Sequence, residues 1–347
     1  MTKGVMAGAL PIGGGAPVSV QSMTNTPTGQ VEATLGQIHA LAQAGCQLVR
    51  VTVNDQAAAR ALPQLVAGSP VPLCADIHFD VNMAVAALEA GIAKVRINPG
   101  NLGRQRQVQR LADCLRAHHA PVRIGVNAGS LEKALLDKYG GPTPQALVES
   151  ALGHARLLEK EGFEDIVLSM KASGVSATVE ANRLARRQCD YPLHIGVTEA
   201  GGGELARVKS AIGVGALLLE GIGDTLRVSL TGDPVEEVYQ GLNILRALGL
   251  RKDFVEVISC PTCGRTTIDV EGIAARVRQA TRDIRKPLKV AVMGCVVNGP
   301  GEAREADVGL AGGGNGAGVL FRRGMPPRKV EGDLFQALTD QIWEMLS

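Results

Sequence analysis

From residue 18 to 230, short apolar runs rich in β-branched residues alternate with longer stretches whose apolar positions recur at helical spacing. The short runs are VSVQSMT, LVRVTV, PLCADIHF, KVRINPG, VRIGVNAG, DIVLSMKAS, LHIGVTEAG and ALLLEGIGD. Between them lie segments such as VEATLGQIHALAQAG and PQALVESALGHARLLEKEG. Alternation with a period of two marks a strand, and recurrence at three to four residues marks a helix with one buried face. Strands and helices in turn, joined by short connections, predict a parallel sheet. Eight such units in about 230 residues predict an α/β fold, a (β/α)8 TIM barrel, whose usual length is about 250 residues.

The texture changes after DPVEEVYQGLNILRALGLR. The remainder holds two cysteine-bearing turns, a helical stretch (EGIAARVRQATRDI), an apolar strand (LKVAVMG) and the glycine-rich AGGGNGAG. It reads as a small α+β domain, giving a barrel over 1–250 and a second domain over 251–347. AGGGNGAG lacks the Gly-Lys-Ser/Thr ending of a phosphate loop and reads as a flexible turn.

Barrel active sites are built at the C-terminal ends of the strands. Residues two apart share a strand face, which pairs Asp76 with His78, Arg96 with Asn98, and Arg123 with Asn127. Ser169 pairs with Lys171 and Ser173, and His194 with Thr198. Val95, Ile97, Val122, Ile124 and Val126 then face the helices. In the remaining runs Arg50, Glu199 and Glu220 stand at or just before the strand end. At least three arginines and a lysine thus converge on one pocket. That much buried positive charge is costly without a compensating anion, and the guanidinium fork matches phosphate oxygens. A strongly anionic ligand follows, and a diphosphate fits. The blander alternative is that each arginine only pairs with Asp76, Glu199, Glu220 or Asp224.

Composition narrows the classes. The formal net charge of +2 gives no bulk attraction to nucleic acid or membrane. Five Phe, three Tyr and one Trp are poor material for stacking bases. No apolar run approaches the ~20 residues of a membrane span, and the N-terminus lacks a signal pattern, so a cytoplasmic location is expected. Seven cysteines, an odd number, argue against a disulfide framework. Cys46, Cys74, Cys114 and Cys189 stand singly in apolar contexts and read as small buried hydrophobes. His39, His118, His119 and His154 fall on helical stretches and read as surface or packing residues. Cys260 and Cys263 in CPTCGR, and Cys295 in MGCVVNGPGEA, lie beside Gly and Pro turns where ligands are presented. Three thiolates allow structural zinc with a fourth ligand, or an iron–sulfur cluster with one iron left for another donor. Glu302 follows Cys295 by seven residues, and Glu305 is a rival on the same loop.

QSMTNT, ADIHFD, RINPGN, RIGVNAGSLEK, KYGGPTPQALVESA, VTEAGG, KSAIG, EGIGDTLRVSL with DPVEE, CPTCGR and GCVVNGPGEA run in order from about residue 10 to 322. These strings strongly resemble the 4-hydroxy-3-methylbut-2-enyl diphosphate synthase family of the bacterial methylerythritol phosphate route. The resemblance implies a barrel joined to a [4Fe–4S] cluster domain and a two-electron reductive opening of 2-C-methyl-D-erythritol 2,4-cyclodiphosphate. It implies that Cys260, Cys263 and Cys295 hold three irons and that Glu302, displaceable, holds the fourth. Ferredoxin or flavodoxin would supply electrons to a homodimer whose active site is shared between subunits. Arg50, Arg96, Arg123, Lys171 and Lys209 would neutralise the cyclic diphosphate, and Glu220 would be the proton donor. Asp76, Asn127, His194 and Glu199 would orient substrate or Glu220, with Asn298 reaching in from the cluster side. The sequence departs from the family in MTKGVMAGALPIGG, which lacks a basic start, and at Asn54, where proline is expected.

Two other functions compete. A pterin-type barrel synthase uses anion-binding strand ends but leaves the cysteines without a role. A non-enzymatic iron–sulfur carrier explains the cysteines but not the converging arginines.

Overall fold

The computed structural model describes residues 1–77, 80–97, 105–296 and 305–347. The chain divides into two compact units, Met1–Leu250 and Arg251–Ser347.

The first unit opens with a hairpin, β1 (Gly4–Ala7) and β2 (Leu10–Gly13), which the sequence pattern did not announce. Eight parallel strands follow: β3 (Ser19–Met23), β4 (Leu48–Thr52), β5 (Leu73–Ile77), β6 (Lys94–Ile97), β7 (Val122–Asn127), β8 (Ile166–Lys171), β9 (His194–Ile195) and β10 (Thr225–Leu226). Their order is β8-β7-β6-β5-β4-β3-β10-β9. A parallel bridge between Leu168 and Leu193, with Leu168 N–H donating to the Pro192 carbonyl at 2.9 Å, joins the two ends into a barrel. The outward residues behave as alternation requires. Val49, Val51, Val95, Ile97, Val122, Ile124, Val126 and Leu168 are buried in one core with the helices. The hairpin closes the N-terminal end of the barrel, where Val5, Ala7 and Ile12 pack on Leu48, Cys74 and Val167.

The helices are locally encoded. Helix α6 (Pro144–Lys160) begins where Thr143 Oγ1 accepts the Ala146 N–H at 3.2 Å, with proline at its first position. It ends at Gly162, whose φ of 73° lets the chain turn back. Its Leu147, Ala151, Ala155 and Leu158 are buried against the sheet. Truncating Leu147 to alanine there costs about 2–5 kcal/mol in lost burial and cavity.

The eighth strand is displaced from its expected place. ALLL, residues 216–219, forms the last turn of helix α8 (Gly203–Leu219), and β10 comes only at Thr225–Leu226. An all-apolar run does not distinguish a buried helix from a strand, and here Ile222 N–H bonding to the Leu217 carbonyl closes the helix.

The second unit is a five-stranded sheet in the order β11 (Val255–Ser259), β12 (Leu288–Met293), β13 (Val308–Gly314), β14 (Ala317–Arg322) and β15 (Arg328–Val330). The first three strands are parallel and the last two antiparallel. Helix α10 (Val270–Ala280) and the C-terminal helix Leu334–Leu346 share one core with the sheet, through Val270, Ile273, Val277, Leu338 and Ile342. AGGGNGAG is the hairpin joining β13 to β14, with Gly314, Asn315 and Gly316 all at positive φ. No helix among the described residues is long and apolar enough to cross a membrane.

Candidate functional site

The inward positions of the barrel strands are polar. Arg50, Asp76, Arg96, Arg123, Ser169, Lys171 and His194 project inside, and of these only Arg50 is more than slightly exposed. Arg96 Nη1 donates to Asp76 Oδ1 at 2.8 Å and Nη2 to the Gly125 carbonyl at 3.2 Å. Arg50 Nε lies 3.7 Å from Asp76 Oδ2, and its Nη2 rests on Met23 Sδ at 2.8 Å. Arg123 Nη1 donates to Gln21 Oε1 at 3.4 Å. Two glycines leave room for the cations. A Cβ at Gly125 would stand 2.8 Å from Arg96 Nε, and one at Gly196 would stand 2.9 Å from Lys171 Nζ.

Positive charge here outruns its compensation. Burial, reinforced by mutual repulsion among the cations, pushes Arg50 down to about 10 and Arg123 down to about 9. Burial and the nearby arginines also lower the Lys171 ammonium well below its ordinary value. Such an interior is stabilised by a multiply charged anion entering it.

Asn127 is the last residue of β7, level with Lys171 on β8. Beyond β9, Thr198 N–H bonds to the Ala172 carbonyl at 3.2 Å, which brings Glu199 to the barrel end where Lys171 stands. Glu199 is exposed and holds a φ of 52°. A left-handed non-glycine residue persists only where its surroundings impose it, and such strain gathers at functional sites.

Three expectations are corrected. Glu220 is not at a strand end: it follows α8 and precedes β10, so it lies at the opposite, N-terminal end of the barrel. There it is exposed and paired with Arg183, Nε to Oε2 at 2.9 Å, and this guanidinium holds its carboxyl below the ordinary value. The misplacement follows directly from reading ALLLEGIGD as the strand. Lys209 lies half-buried on α8 in the outer layer of helices, apart from the interior cations. His194 stands deep inside, level with Thr225 on the next strand, rather than at the rim. His78, Asn98, Asn298 and Glu302 lie outside the described residues. Glu305, the rival acid, is exposed and pairs with Lys289 at 3.2 Å.

The displaced strand also hid a residue. Arg227, two positions after Thr225 and thus on its face, follows β10 and donates to both oxygens of buried Glu237 at 3.1 Å. The alternation in TLRV carried that signal. Lys94 and Gln21 are further inward polar residues that the reading of strand ends passed over.

In the second unit Cys260 directly follows β11, and Cys295 comes two residues after β12, its parallel neighbour. The two turns are stitched together. Gly294 N–H donates to Cys260 Sγ at 3.2 Å, and Thr267 donates to the Gly294 carbonyl from its N–H at 2.9 Å and its Oγ1 at 3.3 Å. Thr266 Oγ1 accepts the Cys263 N–H at 3.1 Å. Gly312 backs this junction, where a Cβ would meet the Gly294 carbonyl at 2.3 Å. Cys263 is exposed, and Cys260 and Cys295 are partly buried. Among the described residues no three His, Cys, Asp or Glu side chains are closed round a metal-sized point. The donor set is nonetheless soft sulfur, and an N–H directed at Cys260 Sγ suits a thiolate. That chemistry fits iron–sulfur ligation.

Fold and site together define a class: a barrel whose interior is crowded with buried cations, carried on the same chain as a turn-borne cysteine site. The family model described as the GcpE TIM-barrel domain matches residues 2–242, and that of the GcpE protein C-terminal domain matches residues 256–344. The chain belongs to the GcpE family. It is 55% identical over 347 residues to the 4-hydroxy-3-methylbut-2-en-1-yl diphosphate synthase (flavodoxin) of Caldanaerobacter subterraneus subsp. tengcongensis, covering 100% of this chain and 98% of that one. It is equally similar, with the same coverage, to the synthase of the same name from Geobacter sulfurreducens. Among solved structures, the N-acetylneuraminic acid synthetase of Leptospira borgpetersenii shares the fold alone, with a TM-score of 0.52 and 14% identity over 81% of this chain and 98% of that one. The family match runs through the cysteine-bearing unit, which a pterin-type barrel would leave without a role.

Proposed function

We propose that this chain catalyses the two-electron reductive ring opening of 2-C-methyl-D-erythritol 2,4-cyclodiphosphate to (E)-4-hydroxy-3-methylbut-2-enyl diphosphate. The observation that carries the reading is the joining of two sites on one family-matched chain, an undercompensated cation cluster at the barrel strands and a three-cysteine junction. A simple carrier has no use for the first, and a simple barrel synthase has none for the second.

Arg50, Arg96, Arg123 and Lys171 bind the cyclic diphosphate, and their fixed positions on strands avoid reorganisation as charge gathers on the departing ring oxygen. Asp76 holds Arg50 and Arg96 in place, and Asn127 completes the rim. The overall change removes one oxygen as water, so two protons accompany the two electrons. Glu199, at the correct end of the barrel, is the acid that donates to the leaving oxygen, in place of Glu220. Cys260, Cys263 and Cys295 would hold a [4Fe–4S] cluster, with Glu302 as the displaceable fourth ligand, and Asn298 would contact the substrate from the cluster side. Such a cluster would supply the electrons one at a time, together with Lewis acidity.

Flavodoxin, the donor printed in the relatives' names, is the proposed electron source, with ferredoxin as the alternative. The active unit is a homodimer. Leu205, Val208, Ile212 and Leu219 form an exposed apolar stripe along α8, each between 44% and 76% exposed, of the kind a second copy covers. Size-exclusion with light scattering tests this: a Val208→Glu, Ile212→Glu double variant is monomeric, and an unchanged mass rejects the stripe as the interface.

The activity test is anaerobic purification with iron, sulfide and zinc analysis, followed by turnover of the cyclic diphosphate with reduced flavodoxin. About four irons and four sulfides per chain, with product formed, support the reading. One zinc and no sulfide, or a loaded protein that leaves the cyclic diphosphate untouched, overturn it.

A further inference from the structure

Beneath the strand-end cations lies a second group of buried polar atoms that the proposed reaction does not use. Ser19 Oγ, Gln21 Nε2, Lys94 Nζ, Thr225 Oγ1 and both ring nitrogens of His194 have no hydrogen-bond partner among the described residues. All belong to inward positions, and their residues are at most 2% exposed. Cross-strand register sets Thr225 beside both Ser19 and His194, and sets Lys94 beside Cys74. The hairpin-capped apolar floor lies next to them, since Cys74 belongs to it. Buried polar atoms are almost always hydrogen-bonded to protein or to ordered water, so this concentration in one place marks a polar interior rather than an apolar packed core.

Lys94 is its centre. It is 0% exposed, and burial pushes its ammonium down to about 7. The charged or titratable groups that act on it are Cys74 from β5, whose thiol burial raises, and the Arg123 guanidinium from β7. Burial above all, and then the charges of Arg123, Lys171 and Lys94, push the His194 imidazole well below its ordinary value. Arg123 is therefore shared: its Nη1 faces Gln21, while its charge opposes protonation of Lys94 from above. An anion that neutralises Arg123 removes that opposition.

We propose that binding of the diphosphate beside Arg123 draws a proton from solvent onto Lys94, the buried and unpartnered amine below it. This rests on the function proposed above and adds to it a cation that becomes charged only when the anion arrives. An empty barrel is thus spared a further buried charge, and an occupied one gains it. The sign is fixed. Well below neutrality Lys94 is already protonated and binding takes up nothing there. Above neutrality it is neutral before binding, and uptake appears.

Calorimetric titration of the anaerobic full-length protein with the cyclic diphosphate, at pH 6 and pH 8 in two buffers of different ionisation heat, counts the protons. The wild type is expected to take up protons at pH 8 and far fewer at pH 6. Lys94→Met should lose the greater part of one proton at pH 8 while still binding. Lys94→Gln is the second variant should methionine disturb the interior, and it should lose the same proton. Unchanged uptake in these variants would assign the protons to Lys171 or His194 and overturn the inference. Binding by the wild type without proton uptake overturns it as well, leaving the proposed function intact. Absence of any binding heat in the wild type, confirmed by equilibrium dialysis, overturns the proposed function and this inference with it.

Discussion

The barrel interior and the cysteine junction solve opposite problems. In the barrel, charged side chains stand buried on strands, and the shape of the site is settled by alternation. Their burial is unfavourable until an anion arrives, as the lowered values of Arg50, Arg123 and Lys171 show. At the junction the cysteine side chains sit on turns that are partly open to solvent. Their arrangement depends on backbone hydrogen bonds through Gly294 and Thr267. Among the described residues, one site is organised by sheet geometry with more cations than countercharge, and the other is organised by loop contacts on half-open turns. A change in the first should alter affinity and protonation, and a change in the second should alter cofactor content.

Substitutions can break that division. The largest effect is expected from Cys295→Ala, which should bring iron, sulfide and turnover to background while the circular dichroism of the barrel persists. Cyclic diphosphate that no longer binds this variant would show that the two sites are not separable. Next, Glu199→Gln should lower kcat by ~10²–10⁴-fold, the usual worth of a general acid, with cluster content unchanged. Glu220→Gln, at the other end of the barrel, should leave kcat as it is, and the reverse ranking would restore the original assignment. Arg96→Met should weaken substrate binding by roughly 10–100-fold, the worth of a charge-assisted hydrogen bond, with iron content retained. Equilibrium binding measures it.

Smaller effects sharpen the contrast. Lys94→Met should raise the urea midpoint at pH 7, by about 1–4 kcal/mol in stability, as when buried charge gives way to apolar packing. Because the folded value of Lys94 is lowered to about 7, its cost is fully present below that pH. The cost is relieved as pH rises toward the unfolded value near 10.5. The advantage of methionine should therefore shrink between pH 7 and pH 10. Thr267→Val should be mildest: losing one hydrogen bond worth about 1 kcal/mol should speed iron loss in air, while Thr267→Ser keeps the wild-type rate.

Much of this was legible from residue order. Strict alternation in KVRI and VRIGVN placed Arg96 and Arg123 inside and their valine and isoleucine neighbours outside. The cysteine spacing and the family strings pointed to the junction. The eighth strand was not legible, because GALLL is equally apolar as buried helix and as strand, and that ambiguity moved Glu220 to the wrong end and concealed Arg227. The N-terminal hairpin was likewise hidden, since four-residue strands carry too little pattern to be distinguished from loop.

The sequence alone therefore determined the repeating elements, the inward identity of most cations and the placing of the cysteines on turns, because each depends on spacing within a few residues. Only the tertiary structure decided which acid shares an end of the barrel with Lys171. It alone set Lys94 against Arg123 and directed the Gly294 N–H to Cys260. Those relations join residues some thirty positions apart, and they exist only once the strands have paired.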